Sequence, residues 1–116
     1  MIIQTDTFKL LIEKVHNYKG YTLLEILQDD GMCNIIHYDT KEEFEKDFSF
    51  APHGFFPHEK RLFPKNVVES YGRESVTCII QGETYYLRLM ELYLVIDGKH
   101  YDTLEELKNR KDVKEN

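Results

Sequence analysis

The chain has 116 residues, with fifteen Lys and Arg against twenty-one Asp and Glu, for a formal charge of −6. That balance argues against a general nucleic-acid binder, whose affinity comes largely from cations meeting phosphates. Hydrophobic residues at 41%, with eight Tyr and seven Phe, exclude global disorder and suit one core.

In chain order, the first predicted element is a helix over DTFKLLIEKVHNY, residues 6–18. Phe8, Leu11, Ile12 and Val15 form one apolar stripe, Thr5 or Asp6 can cap its start, and Gly20 suits its stop. The start, MIIQTDTFKLL, lacks the pattern of a secretory signal, and no run is long enough to span a bilayer. YTLLEILQ, then Asp29-Asp30-Gly31, then MCNIIHY predict a hairpin. On its second strand Cys33, Ile35 and His37 share one face, and Met32, Asn34, Ile36 and Tyr38 share the other. Both faces are partly apolar, so the pattern alone does not choose the inner one.

A phrase then occurs that the chain writes twice, HYDTKEEFEK from His37 and HYDTLEELKN from His100. In the first copy Asp39 or Thr40 caps a helix over about 41–48, and Glu43 stands three residues beyond Thr40, as in a capping box. In the second, Asp102 and Thr103 do the same, with Glu106 in the matching place. Each copy follows a strand, so the shared letters are those that a strand-to-helix corner needs. The repeat is therefore read as one structural joint built twice, and an ancient duplication of a ββα unit is compatible with it.

Residues 48–64, FSFAPHGFFPHEKRLFP, hold five of the seven Phe and all three Pro. Prolines interrupt strands and helix interiors, so 49–58 is expected to be a loop. Short helices are expected within HEKRLF and across PKNVVESY, the second begun by Pro64 and ended by Gly72. ESVTCIIQGETYYLRLM predicts a hairpin about Gln81-Gly82-Glu83, with Val76, Cys78 and Ile80 on one face. The run Tyr85–Ile96 fits one long strand, two strands bent near Met90-Glu91, or a helix, and its flanking glycine turns favour strands. LYLVI, Asp97-Gly98 and KHY predict a short hairpin.

The expected fold is α+β: a mostly antiparallel sheet of five to seven strands with three to four short helices, arranged as two ββα-like units. Residues 1–110 are expected to form a single globular domain and 111–116 to fray. A second subunit, in a homodimer, or the aromatic loop is needed to cover the second sheet face.

Chemical motifs are missing from the sequence. It has no HExxH, paired CxxC, GxSxG, GxxxxGK[ST] or GxGxxG pattern. No cofactor is expected, and with only Cys33 and Cys78 the chain is expected to be cytoplasmic and reduced. The function read from sequence is a small acidic, non-catalytic module that binds a protein partner with a basic surface. An inhibitor of a host nucleic-acid-processing complex is its specific version. The expected binding residues are His53, Phe55, Phe56, His58, Arg61 and Phe63, because aromatics and Arg dominate interface hot spots. The alternative is a small metal-binding protein or enzyme using His53 and His58, which would need further ligands from distant parts of the chain.

Overall fold

The computed structural model describes residues 21–26, 33–53, 56–72 and 74–110. In chain order these form β1 (Tyr21–Ile26), β2 (Cys33–Tyr38), α1 (Lys41–Asp47), β3 (Phe48–His53), β4 (Phe56–Pro64), β5 (Val67–Tyr71), β6 (Ser75–Ile80), β7 (Glu83–Arg88), a 3₁₀ turn (Leu89–Glu91), β8 (Leu92–Ile96), β9 (Lys99–Tyr101) and α2 (Leu104–Lys108). The strands make three antiparallel sheets, ordered β2-β1-β8-β9, β3-β4 and β5-β6-β7.

The expectation of an α+β fold with three to four helices is corrected. The described residues are mostly antiparallel β with two helices, of which only α1 reaches seven residues. The helix expected over 6–18 and the fraying tail lie outside the described residues. The helices expected in HEKRLF and PKNVVESY are instead strands β4 and β5. Prolines are tolerated in β3 and β4 because a two-stranded sheet consists only of edges, and because Pro52 sits at a shift in register. In β5 the pair Val67-Val68 favours extended chain, and Gly72, at φ 68°, serves the β5–β6 turn rather than a helix stop.

Both copies of the repeated phrase end a hairpin of the four-stranded sheet. Pairing runs His37 to Thr22, Thr22 to Val95, and Val95 to His100, so the two histidines lie in one cross-strand row. The units β1-β2-α1 and β8-β9-α2 are thereby related by an approximate twofold through the Thr22–Val95 pair. Three strand spacings separate the histidines, about 14 Å. The corners match in detail. Thr40 Oγ1 accepts the Glu43 N–H at 3.2 Å, and Thr103 Oγ1 accepts the Glu106 N–H at 3.2 Å. Thr40→Ala and Thr103→Ala are each expected to cost about 1 kcal/mol in urea unfolding, the usual worth of such a cap, and the double variant about the sum. Two neutral substitutions would contradict the corner reading.

The core lies against one face of this sheet. Leu23, Ile36, Tyr38, Leu92, Leu94 and Ile96 face it and meet Phe44, Phe48, Leu62, Val76, Cys78, Ile80 and Leu87 from the rest of the chain. This settles the face of β2: Ile36 and Tyr38 are inside and His37 is exposed. Phe44 and Phe48 stack with centroids 5.7 Å apart, and Tyr38 stands edge-on to both, at 5.8 and 6.3 Å. On the opposite face Thr22, Leu24 and Val95 are buried as well.

Asp47 joins the three sheets. Its carboxylate accepts the Tyr38 hydroxyl at 2.7 Å, the Asn66 side-chain amide at 3.2 Å and the Gln81 N–H at 3.4 Å. Its backbone carbonyl accepts the Lys65 N–H at 2.7 Å. Burial, then the bond to Asp47 and its charge, push the Tyr38 phenol well above the usual tyrosine range, so it stays a donor. Gln81 (φ 52°) and Gly82 (φ 82°) form a tight two-residue turn that brings the Gln81 amide to this carboxylate. The Gln81 side chain then donates to the His37 carbonyl at 2.8 Å.

Candidate interaction surfaces

The proline-rich segment is a hairpin rather than a loop. Phe48 pairs with Pro64, Ser49 with Phe63, Phe50 with Leu62 and Ala51 with Arg61; the next pair is His53 with Phe56. Pro52 alone therefore faces the four residues 57–60, which stand out of the ladder as an arch. Pro57, His58, Glu59 and Lys60 are all exposed on it.

The expected binding residues fall into different places. His53 ends β3, and Phe55 lies outside the described residues. Phe63 is half-buried and packs against the core. Phe56 is half-buried beneath Arg61, whose guanidinium carbon is 3.7 Å from the ring centroid. Arg61 also donates to Glu59 at 3.0 Å and to Asp102 at 3.2 Å, and it bridges to Thr103 through the backbone. Its donors thus tie the hairpin to the second corner. That corner also holds a carboxyl pair. The hydrogen bond between the Asp102 and Glu106 side chains, then burial and like charge, raise Glu106 above the usual carboxylate range. His58 is the expected residue left on the exposed arch.

Among the described residues no group of three or more His, Cys, Asp or Glu is placed to hold a metal ion. Cys78 is free and fully buried. Burial pushes its thiol up to about 11, so it is not a ready nucleophile at neutral pH.

A different surface carries the exposed apolar side chains. In the sheet β5-β6-β7, Val76, Cys78, Ile80 and Leu87 face the core. By alternation Glu69, Tyr71, Thr77, Ile79, Thr84, Tyr86 and Arg88 occupy the outer face. Tyr71 is 49% exposed, Tyr86 46% and Ile79 39%, and Val68, at the register shift in β5, is 59% exposed. The two tyrosine rings meet edge to face with centroids 5.3 Å apart. The Tyr71 hydroxyl donates to Glu69 at 3.0 Å. Aromatics held by each other and by a carboxylate lose little freedom when a partner covers them.

Sequence reasoning missed this face because it read 65–71 as helical. Two signals could have found it. Placing Val76, Cys78 and Ile80 inside forces Ile79 outside, and adjacent Tyr85 and Tyr86 cannot both face inward on a strand.

The chain matches no family model, no curated protein and no solved structure. No helix among the described residues is long and apolar enough to cross a membrane.

Proposed function

We propose that this chain is a small, acidic, non-catalytic module that binds a protein through the outer face of β5-β6-β7. The observation that carries the reading is the packed Tyr71–Tyr86 pair, left open to solvent beside Ile79. Exposed aromatics grouped on one face are typical of interface centres. The charge of −6 favours a partner with a basic surface, and blocking a basic groove of a nucleic-acid-processing complex is the specific version that this charge favours. The free thiol of Cys78 suits a reducing cytoplasm.

Affinity capture from the native host tests the reading. The partner should be retained by the unsubstituted chain and by His58→Ala. It should be weakened about tenfold or more by Tyr71→Ala with Tyr86→Ala, since truncating an aromatic hot spot costs about 2 kcal/mol. Both tyrosines are exposed, so the melting temperature should hardly change. Full retention by the tyrosine double variant would refute the reading. The arch over 57–60 is the second candidate, favoured by its four exposed residues outside the strand ladder. On that reading His58→Ala and Lys60→Ala release the partner instead.

A further inference from the structure

The edges of the three sheets are not treated alike. β3 and β4 carry all three prolines. β9 has three residues and includes Lys99. On β2 the His37 carbonyl is taken by Gln81. β7, the other edge of its sheet, also lacks proline and lysine but approaches β1. Prolines, lysines, shortness and covering contacts are the usual ways of stopping an edge from pairing with another chain. β5 is an edge strand with neither proline nor lysine, and Val68, Glu69, Ser70 and Tyr71 on it are all exposed. Its register shift lies at its first residues, between Val67 and Glu69, leaving Glu69–Tyr71 in regular pairing with β6.

Resting on the protein-binding reading above, we propose that the β5 edge accepts an extended, lysine- or arginine-bearing segment of the partner as a fourth strand. An edge strand offers every second backbone amide and carbonyl outward, which supplies affinity without reading sequence. Side chains supply the selection. Alternate residues of an added strand stand beside Glu69 and Tyr71 on the outer face. A basic group there pairs with the Glu69 carboxylate and lies against the Tyr71 ring, the aromatic on β5 itself. The chain already uses such a contact internally, where Arg61 covers Phe56. Charge also selects against the opposite sign: the chain carries −6 overall, and Glu69 is the charged side chain on β5, with the outer face's Arg88 away on β7. A second copy of the chain is a poor occupant for the same reason, because it brings a further −6 and another Glu69 to the edge.

The test uses the full chain and an alternating lysine–threonine peptide, with a glutamate–threonine peptide as its counterpart. Fluorescence anisotropy should show saturable binding of the lysine peptide that weakens with salt, and amide hydrogen exchange should slow at 68–71. Glu69→Lys and Tyr71→Ala should each weaken it about twofold to fivefold, the range of a surface cation–ring contact or ion pair. Equal binding of both peptides, or no slowing at 68–71, overturns the proposal. So does a dimer of the free chain in which these amides are already protected, since the edge then belongs to a second copy. If capture of the native partner depends on Tyr71 and Tyr86 while the lysine peptide leaves 68–71 unprotected, strand addition fails and the face-binding reading stands.

Discussion

Phe48→Ala is expected to destabilise the chain by about 4 kcal/mol, at the upper range for a buried aromatic truncated in a core. Phe48 begins β3 directly after α1 and has no exposed surface. Its ring stacks on Phe44 and receives the edge of Tyr38, so its loss opens a cavity between the first corner, β2 and the β3–β4 hairpin. For a chain of this size that cost corresponds to a melting temperature lower by about 15 °C or more. Phe48→Leu refills much of the volume and should cost about 1 to 2 kcal/mol. Calorimetry of both variants checks the account. A loss under about 1 kcal/mol for the alanine variant contradicts a core assembled on this aromatic group.

Asp47→Ala is expected to cost about 3 kcal/mol, because hydrogen bonds to a charged group are worth about 1.5 to 3 kcal/mol and the buried Tyr38 hydroxyl is left without its acceptor. The Tyr38 hydroxyl is the costliest of the carboxylate's donors, since the residue is almost wholly buried. Tyr38→Phe removes donor and demand together and should cost about 1 kcal/mol. In the double variant the effects should be less than additive, because the phenylalanine no longer needs the carboxylate. Additive losses in urea unfolding would show that the two side chains do not act through each other. The same carboxylate holds Asn66 and Gln81, so local opening at the β4–β5 connection and the β6–β7 turn should increase together.

The parts of the fold legible in the sequence are those specified by local chemistry. Asp97-Gly98 and Gln81-Gly82 turn where the sequence reading places turns, each with φ above 45° at both residues. The two threonine caps act as read from the repeat. Of the three alternatives the sequence leaves open for 85–96, the structure has two strands bent near Met90-Glu91, at a 3₁₀ turn where the chain leaves one sheet for another. What stayed illegible depends on tertiary pairing. Proline signals a break only where a strand needs partners on both sides, and among the described residues β3 and β4 form a two-stranded sheet whose prolines lie off the Arg61–Thr103 bridge. Pro64 and Gly72 frame 65–71 equally well as a helix or as a strand with its turn, and the pairing with β6 decides between them. Arg61 reads as an interface residue by type, and only the fold adds its contacts with Glu59, Phe56 and Asp102. Alternation alone puts Ile79 and one of the two adjacent tyrosines outside, but the Tyr71 side of that face emerges only once β5 is placed beside β6.

The repeated phrase builds two corners of one sheet, and the surface we propose for recognition lies on a different sheet. Amide hydrogen exchange of the complex with the captured partner separates these roles most directly. Slowed exchange over 68–86, with 36–40 and 99–103 unchanged, is the predicted result. Protection centred on the His37-Tyr38 and His100-Tyr101 pairs, with the tyrosine face unaffected, would contradict it.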